Sequence, residues 1–135
     1  MRRSVTEIRY GNDISALLLR LVFGLAMFYE HGLGKWQVLF GNGEIQFPDP
    51  FGIGATFSLI LAVFAEVVCA ILVAAGLFTR YAIVPLIVTM AVAVFVVHSG
   101  DAFGKIELPL AYLVGYVAIF LMGPGNFSVD RLIRN

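Results

Sequence analysis

Four stretches of this chain, residues 14–29, 53–77, 82–97 and 108–122, are apolar over nearly the length of a membrane-spanning helix, which is roughly 17–25 residues. One run such as ISALLLRLVFGLAMFY can be hidden inside a large soluble protein. Four of them in 135 residues cannot. Hydrophobic residues make up 60% of the sequence and charged residues 13%, whereas soluble domains are about 45–50% apolar. A chain this short has too little interior to bury the surplus. The sequence therefore predicts an all-α membrane protein, a four-helix transmembrane bundle spanning residues 1–135 as a single domain.

Local signals frame the helices. Asn12 and Asp13 are the expected N-caps of the first run. Pro85 and Pro109 are expected in the first turns of the third and fourth, where a missing N–H costs nothing. GPG at 123–125 stops the fourth, and NFSVDRLIRN then reads as a short amphipathic piece capped by Ser128. The first run is expected to be a spanning helix rather than a cleaved leader, because Arg20 interrupts it and no small-residue cleavage motif comes after it.

Orientation is read from the positive charges, which collect on cytoplasmic loops. With the N-terminus inside, Arg2, Arg3, Arg9, Arg80, Arg131 and Arg134 are cytoplasmic, and only Lys35 and Lys105 are outside. Both termini are then cytoplasmic. Residues 31–52 form a long outer loop between helices one and two, and residues 98–107 form a second outer loop. In a bacterium this is a multi-pass protein of the inner membrane.

Net charge is +0, which gives no basic field for nucleic acid. The single Cys69, deep in an apolar run, can make neither an internal disulfide nor a C-x-x-C pair and reads as a small packing residue. Two histidines without a ligand motif do not define a metal or haem site.

The informative residues are the ionisable ones near or within the apolar runs. Arg20 lies about two turns into helix one, and Glu66 is near the middle of helix two. Isolated charges at such depth are costly, and the antiparallel helices bring them to similar levels. The expectation is an Arg20–Glu66 pair, either a packing device or the polar floor of a cavity. At the outer ends, His31 and Lys35 on helix one, His98 on helix three and Glu107 on helix four reach the same depth. They are either interfacial anchors or the rim of one outward-facing pocket, with His31 and His98 as the candidate proton carriers. Helical spacing places Arg20, Gly24, Phe28 and His31 on one stripe, Ala62, Glu66, Ala70 and Ala74 on a second, and Glu107, Ala111, Gly115 and Ala118 on a third. Such small residues serve close helix packing or leave room for a ligand. The loop WQVLFGNGEIQFPDPFGIG is long, and its Trp36, Phe40, Phe47 and Phe51 suggest a lid or a membrane anchor.

The pieces LLLRLVFGLAMFYEHGLGK, FPDPFGIG, AEVVCAILVAAGLFTRYA, MAVAVFVVH and GPGNFSVD resemble, in order and spacing, the DoxX family of small bacterial membrane proteins. The resemblance implies a four-helix integral membrane fold and draws attention to Arg20, His31, Gly32, Lys35, Glu66, Arg80 and His98. It also implies association with quinone-linked oxidation, or with thiosulfate or thiol redox. The chain would act at most as an accessory subunit of a quinone-linked oxidoreductase. It carries no cofactor of its own, but has a quinone as candidate ligand and a redox subunit or further copies of itself as candidate partners, all within the lipid bilayer. Two other readings stay open. One is a small-molecule permease or binder built on Arg20 and Glu66, and the other is a structural subunit of a membrane complex.

Overall fold

A computed structural model describes residues 8–134. They form four helices long and apolar enough to cross a membrane, α1 (Gly11–Leu39), α2 (Ala55–Ala75), α3 (Thr79–Val97) and α4 (Phe103–Met122), with a short α5 (Val129–Arg134) after them. Helix α2 packs on α1 and α3, and α4 closes the bundle between them. Helix α2 is the inner one: 61% of its most apolar stretch is buried, against 22–28% in the other three. The core is built from Met27, Ala65, Cys69, Val73, Ile83, Leu86, Tyr116 and Ile119. Leu18, Val22, Phe64, Ile71, Val88, Phe95 and Leu121 face outward and are exposed, as hydrocarbon surroundings require and water would not tolerate.

The helices run further at the long-loop end than the apolar runs indicate. Helix α1 continues through Leu39, so the long connection is 40–54 rather than 31–52, and Trp36 near the end of that extension meets the tilted ring of Phe40 at 4.6 Å. Helix α4 begins at Phe103, which shortens the other connection at this end and leaves Pro109 inside the helix instead of in its first turn. Pro85 is likewise interior to α3, where its carbonyl accepts the Thr89 hydroxyl at 2.7 Å. Hydropathy marks where a helix is apolar and not where it ends: α1 runs on through Gly32, Gly34 and Lys35, and α4 already includes Gly104, Lys105 and Pro109.

The caps also depart from expectation. Asn12 and Asp13 lie within α1, whose start carries no side-chain cap. Asp13 instead accepts the backbone N–H and side-chain amide of Asn126, both at 3.1 Å, and so ties α1 to the segment after α4. Ser128 does cap α5, accepting the N–H of Arg131 at 3.3 Å. Asp130 on α5 caps α3 from a distance, through the N–H groups of Phe78 (2.7 Å) and Thr79 (3.0 Å). Arg2 and Arg3 lie outside the described residues.

Three helices contain a π-helical turn: Met27–Gly32 in α1, Phe64–Cys69 in α2 and Ala93–Val97 at the end of α3. Each extra residue rotates the remainder of its helix by roughly 100° relative to a regular one. On α1 the buried stripe is therefore Ala16, Arg20, Gly24, Met27 and Gly32, and His31 is turned off it. Gly32 lies against the Glu66 backbone so closely that a Cβ would overlap the Glu66 carbonyl. On α4 the buried face is Tyr112, Gly115, Tyr116 and Ile119, while Glu107 and Ala111 are exposed.

Candidate functional site

The contact of Gly32 with α2 brings the next part of α1 beside Glu66. Lys35 Nζ meets Glu66 Oε1 at 2.7 Å, with the Lys35 side chain 29% exposed and the Glu66 side chain 2%. The second oxygen, Oε2, is buried and has no hydrogen-bond partner among the described residues. An ion pair this enclosed is costly to desolvate.

A cavity of about 370 Å³ adjoins the pair, between α2, α3 and the long loop. Lys35, Glu66, Ser58, Thr89 and His98 contribute its polar groups, and the remaining wall is apolar, including Ala62, Leu61, Val88, Ala93, Phe47 and Phe51. Phe47 also packs against the Leu59, Val63 and Val67 cluster, so the aromatic loop folds over the bundle at this point. Asp49 fastens it there. Its carboxylate accepts the N–H groups of Gly54 at 2.8 Å and Ile53 at 3.0 Å and the Ser58 hydroxyl at 3.0 Å, just ahead of and into α2. These bonds, the one from Gly54 first, hold the Asp49 carboxyl below the usual carboxylate range. At the rim, His98 Nδ1 lies 3.0 Å from Asp101 Oδ2. The three ionisable groups on the cavity wall share one local cause: Lys35 and His98 come after π turns and Glu66 lies within one. Such turns recur at functional sites because they re-aim side chains inside an otherwise regular helix.

The structure divides the expected residues. Lys35, Glu66 and His98 line this cavity. His31 does not. Its ring meets Tyr112 of α4 edge-on at 5.6 Å, in an aromatic column with Phe23 and Tyr116. Glu107 lies over a shallow groove between α1 and α4 with Phe23 and Phe103. The expected single pocket holding His31, Lys35, His98 and Glu107 is thus split between two sides of the bundle, because the π turn in α1 points His31 toward α4.

The expected Arg20–Glu66 pair is also corrected. Arg20 is 1% exposed and donates from Nη1 to the Ala74 carbonyl at 3.0 Å and from Nη2 to the Phe127 carbonyl at 2.5 Å. Its opposite charge is Asp130 of α5. Arg20 lies level with Ala74, and Glu66 with Gly32, so two turns of α2, roughly 12 Å at about 1.5 Å per residue, separate them. Arg20 therefore clamps the opposite end of the bundle, where Gly76, in a left-handed conformation, leaves room that a Cβ would take from its guanidinium.

Asp49, Ser58, Thr89 and Asp130 were not singled out by sequence reasoning. The nine-residue reach from Asp49 to Ser58 across FPDPFGIGATFS was the available signal for the loop clamp. Among the described residues no three His, Cys, Asp or Glu side chains group as metal ligands.

An uncharacterized protein of Haemophilus influenzae is 33% identical over 132 residues, covering 92% of this chain and 86% of that protein. An uncharacterized membrane protein of Mycobacterium tuberculosis is 30% identical over 140 residues, covering 87% of this chain and 80% of its own length. No solved structure matches significantly. The family model described as DoxX matches residues 15–99.

Proposed function

The chain is a multi-pass membrane protein of the DoxX family, and from that premise we propose that it binds a small, neutral, apolar ligand of the quinone class in the cavity beside Lys35 and Glu66. One observation carries the reading: a part-buried ion pair, whose carboxylate keeps a buried oxygen without a partner among the described residues, adjoins a cavity whose walls are mostly apolar. An ion pair that only joined two helices could be replaced by apolar packing without loss. Ionisable groups kept at membrane depth are far more often functional.

The residues fit such a group. Lys35 has three N–H donors and gives one to Glu66, which leaves donors for a ligand carbonyl. Glu66 fixes the ammonium in place. Phe47, Phe51 and the α3 valines supply apolar contact for a ring. A bound quinone would supply two-electron, two-proton chemistry. His98, at the rim and hydrogen-bonded to Asp101, is suited to exchanging protons with water at that end. Electron transfer belongs to a partner subunit, which makes this chain an accessory component of a redox complex in a bacterial inner membrane.

The charge distribution supports an orientation with both termini cytoplasmic. Arg9, Arg80 and Arg131 lie at the terminal end of the bundle, and Lys35 and Lys105 at the long-loop end. The cavity then belongs to the outer half of the membrane. The test is extraction of the purified protein with organic solvent and mass spectrometry of the extract. A stoichiometric quinone in the extract supports the reading. Its absence, together with failure of an added naphthoquinone to bind, overturns it.

A further inference from the structure

The cavity has one wall that ligand binding alone does not explain. Leu61 of α2 and Val88 of α3 line it, and both are about half exposed, at 47% and 53%. Val88 lies midway along α3, at a depth where the surroundings are hydrocarbon. The polar groups nearest this side are already occupied: the Thr89 hydroxyl is bonded to the Pro85 carbonyl, and the Ser58 hydroxyl to Asp49. An opening between Leu61 and Val88 would thus present only carbon. Toward the long-loop end, by contrast, Phe47 and Phe51 cover the cavity on a loop fastened by Asp49.

Resting on the quinone-class reading of this cavity, we infer that it is loaded sideways from the bilayer through a slot between Leu61 and Val88, and that it takes the neutral head of a long-tailed lipophile whose tail stays in the membrane. Size requires this division. A volume of about 370 Å³ is near the small end of ligand sites. It holds a ring with its substituents and has no room for a long tail as well. The charges set the choice of head. Lys35 and Glu66 neutralise each other at 2.7 Å, so an ionised carboxylate would have to compete with Glu66 for the ammonium, and a cationic head with Lys35 for the carboxylate. A carbonyl takes a spare Lys35 N–H without breaking the pair.

The test uses the protein in lipid nanodiscs and three probes: a tail-less naphthoquinone, the same head with a long isoprenoid tail, and a long-chain fatty acid. Val88→Trp fills the slot from the lipid side, Leu61→Trp does so from the other edge, and Phe95→Trp, an outward position on α3 away from the cavity, is the control. Both slot variants should weaken the tailed quinone by about tenfold or more, weaken the tail-less one clearly less, and differ in this from Phe95→Trp. The fatty acid should bind the wild type at least about tenfold more weakly than the tailed quinone. If slot variants leave the tailed probe unaffected, or weaken both quinones equally, lateral loading is wrong. A fatty acid that binds as well as the quinone overturns the neutral-head selection. If the wild type binds neither quinone, the ligand reading itself fails.

Discussion

Lys35 of α1 and Glu66 of α2 meet at 2.7 Å beside a cavity, and Glu66 keeps a second, buried oxygen without a partner among the described residues. Removing only the lysine leaves an uncompensated carboxylate inside the bundle. Lys35→Met should therefore destabilise the protein by about 3 kcal/mol, the lower end of what breaking a buried pair costs, because Lys35 retains some exposure. Lys35→Met combined with Glu66→Gln should recover most of that loss. Reversible unfolding in detergent, compared across the wild type and both variants, measures it.

Close approach of α1 and α2 depends on Gly32. A Cβ there would overlap the Glu66 carbonyl and crowd Val67. Gly32→Ala should cost about 1–3 kcal/mol, as overpacking does, and should weaken ligand binding by displacing Lys35. Gly34, with open space around it, is the matched control. Gly34→Ala should be neutral or stabilising by up to about 1 kcal/mol, since alanine is the better helix former. Thermal unfolding of the two variants side by side reads the difference.

The Asp49 clamp gives the loop a pH dependence of known sign. Hydrogen bonds from Gly54, Ser58 and Ile53 lower its folded pKa, so the carboxylate is favoured by the closed loop. The contribution is complete above the unfolded value of about 3.9 and is lost as pH falls through the lower, folded value. Amide exchange at Ile53 and Gly54 should lose protection in that acidic window. In Asp49→Asn, protection should be weaker at neutral pH and nearly independent of pH.

Orientation is open to chemical labelling. In a Cys69→Ala background, Asn42→Cys and Ala102→Cys should react with a membrane-impermeant maleimide on intact cells, and Arg80→Cys should not. The reverse pattern would invert the arrangement drawn from the positive charges.

The four spans were legible in the sequence because hydrocarbon imposes a length and a composition that little else satisfies. Glu66 was legible as a charge inside an apolar run, and Lys35 and His98 as ionisable groups just beyond the ends of such runs. Their partners were not. The Arg20–Glu66 pairing rested on counting residues along regular helices, and the actual register of α1 against α2 is set by Gly24 on Ala70 and Ala74 and by Gly32 on Glu66. The π turns were invisible too. MFYEHG, FAEVVC and AVFVV share only a phenylalanine, at a different place in each, which does not mark an inserted turn, yet the first of them sends His31 to α4 and Lys35 to α2. A pattern with fixed helical period cannot anticipate a change of period, and here the change occurs around the cavity.

If the Lys35–Glu66 pair holds the head of a neutral ligand, a binding titration of a tail-less naphthoquinone against the wild type and Lys35→Met/Glu66→Gln in nanodiscs reads its contribution. The double variant keeps a neutral cavity of similar size but lacks the ammonium donor. A hydrogen bond to a charged group is worth about 1.5–3 kcal/mol, so affinity should fall by roughly tenfold to a hundredfold while the helical content is unchanged. Equal affinity in the two proteins would contradict that role, and the ion pair would then be a packing element beside a cavity that binds without it.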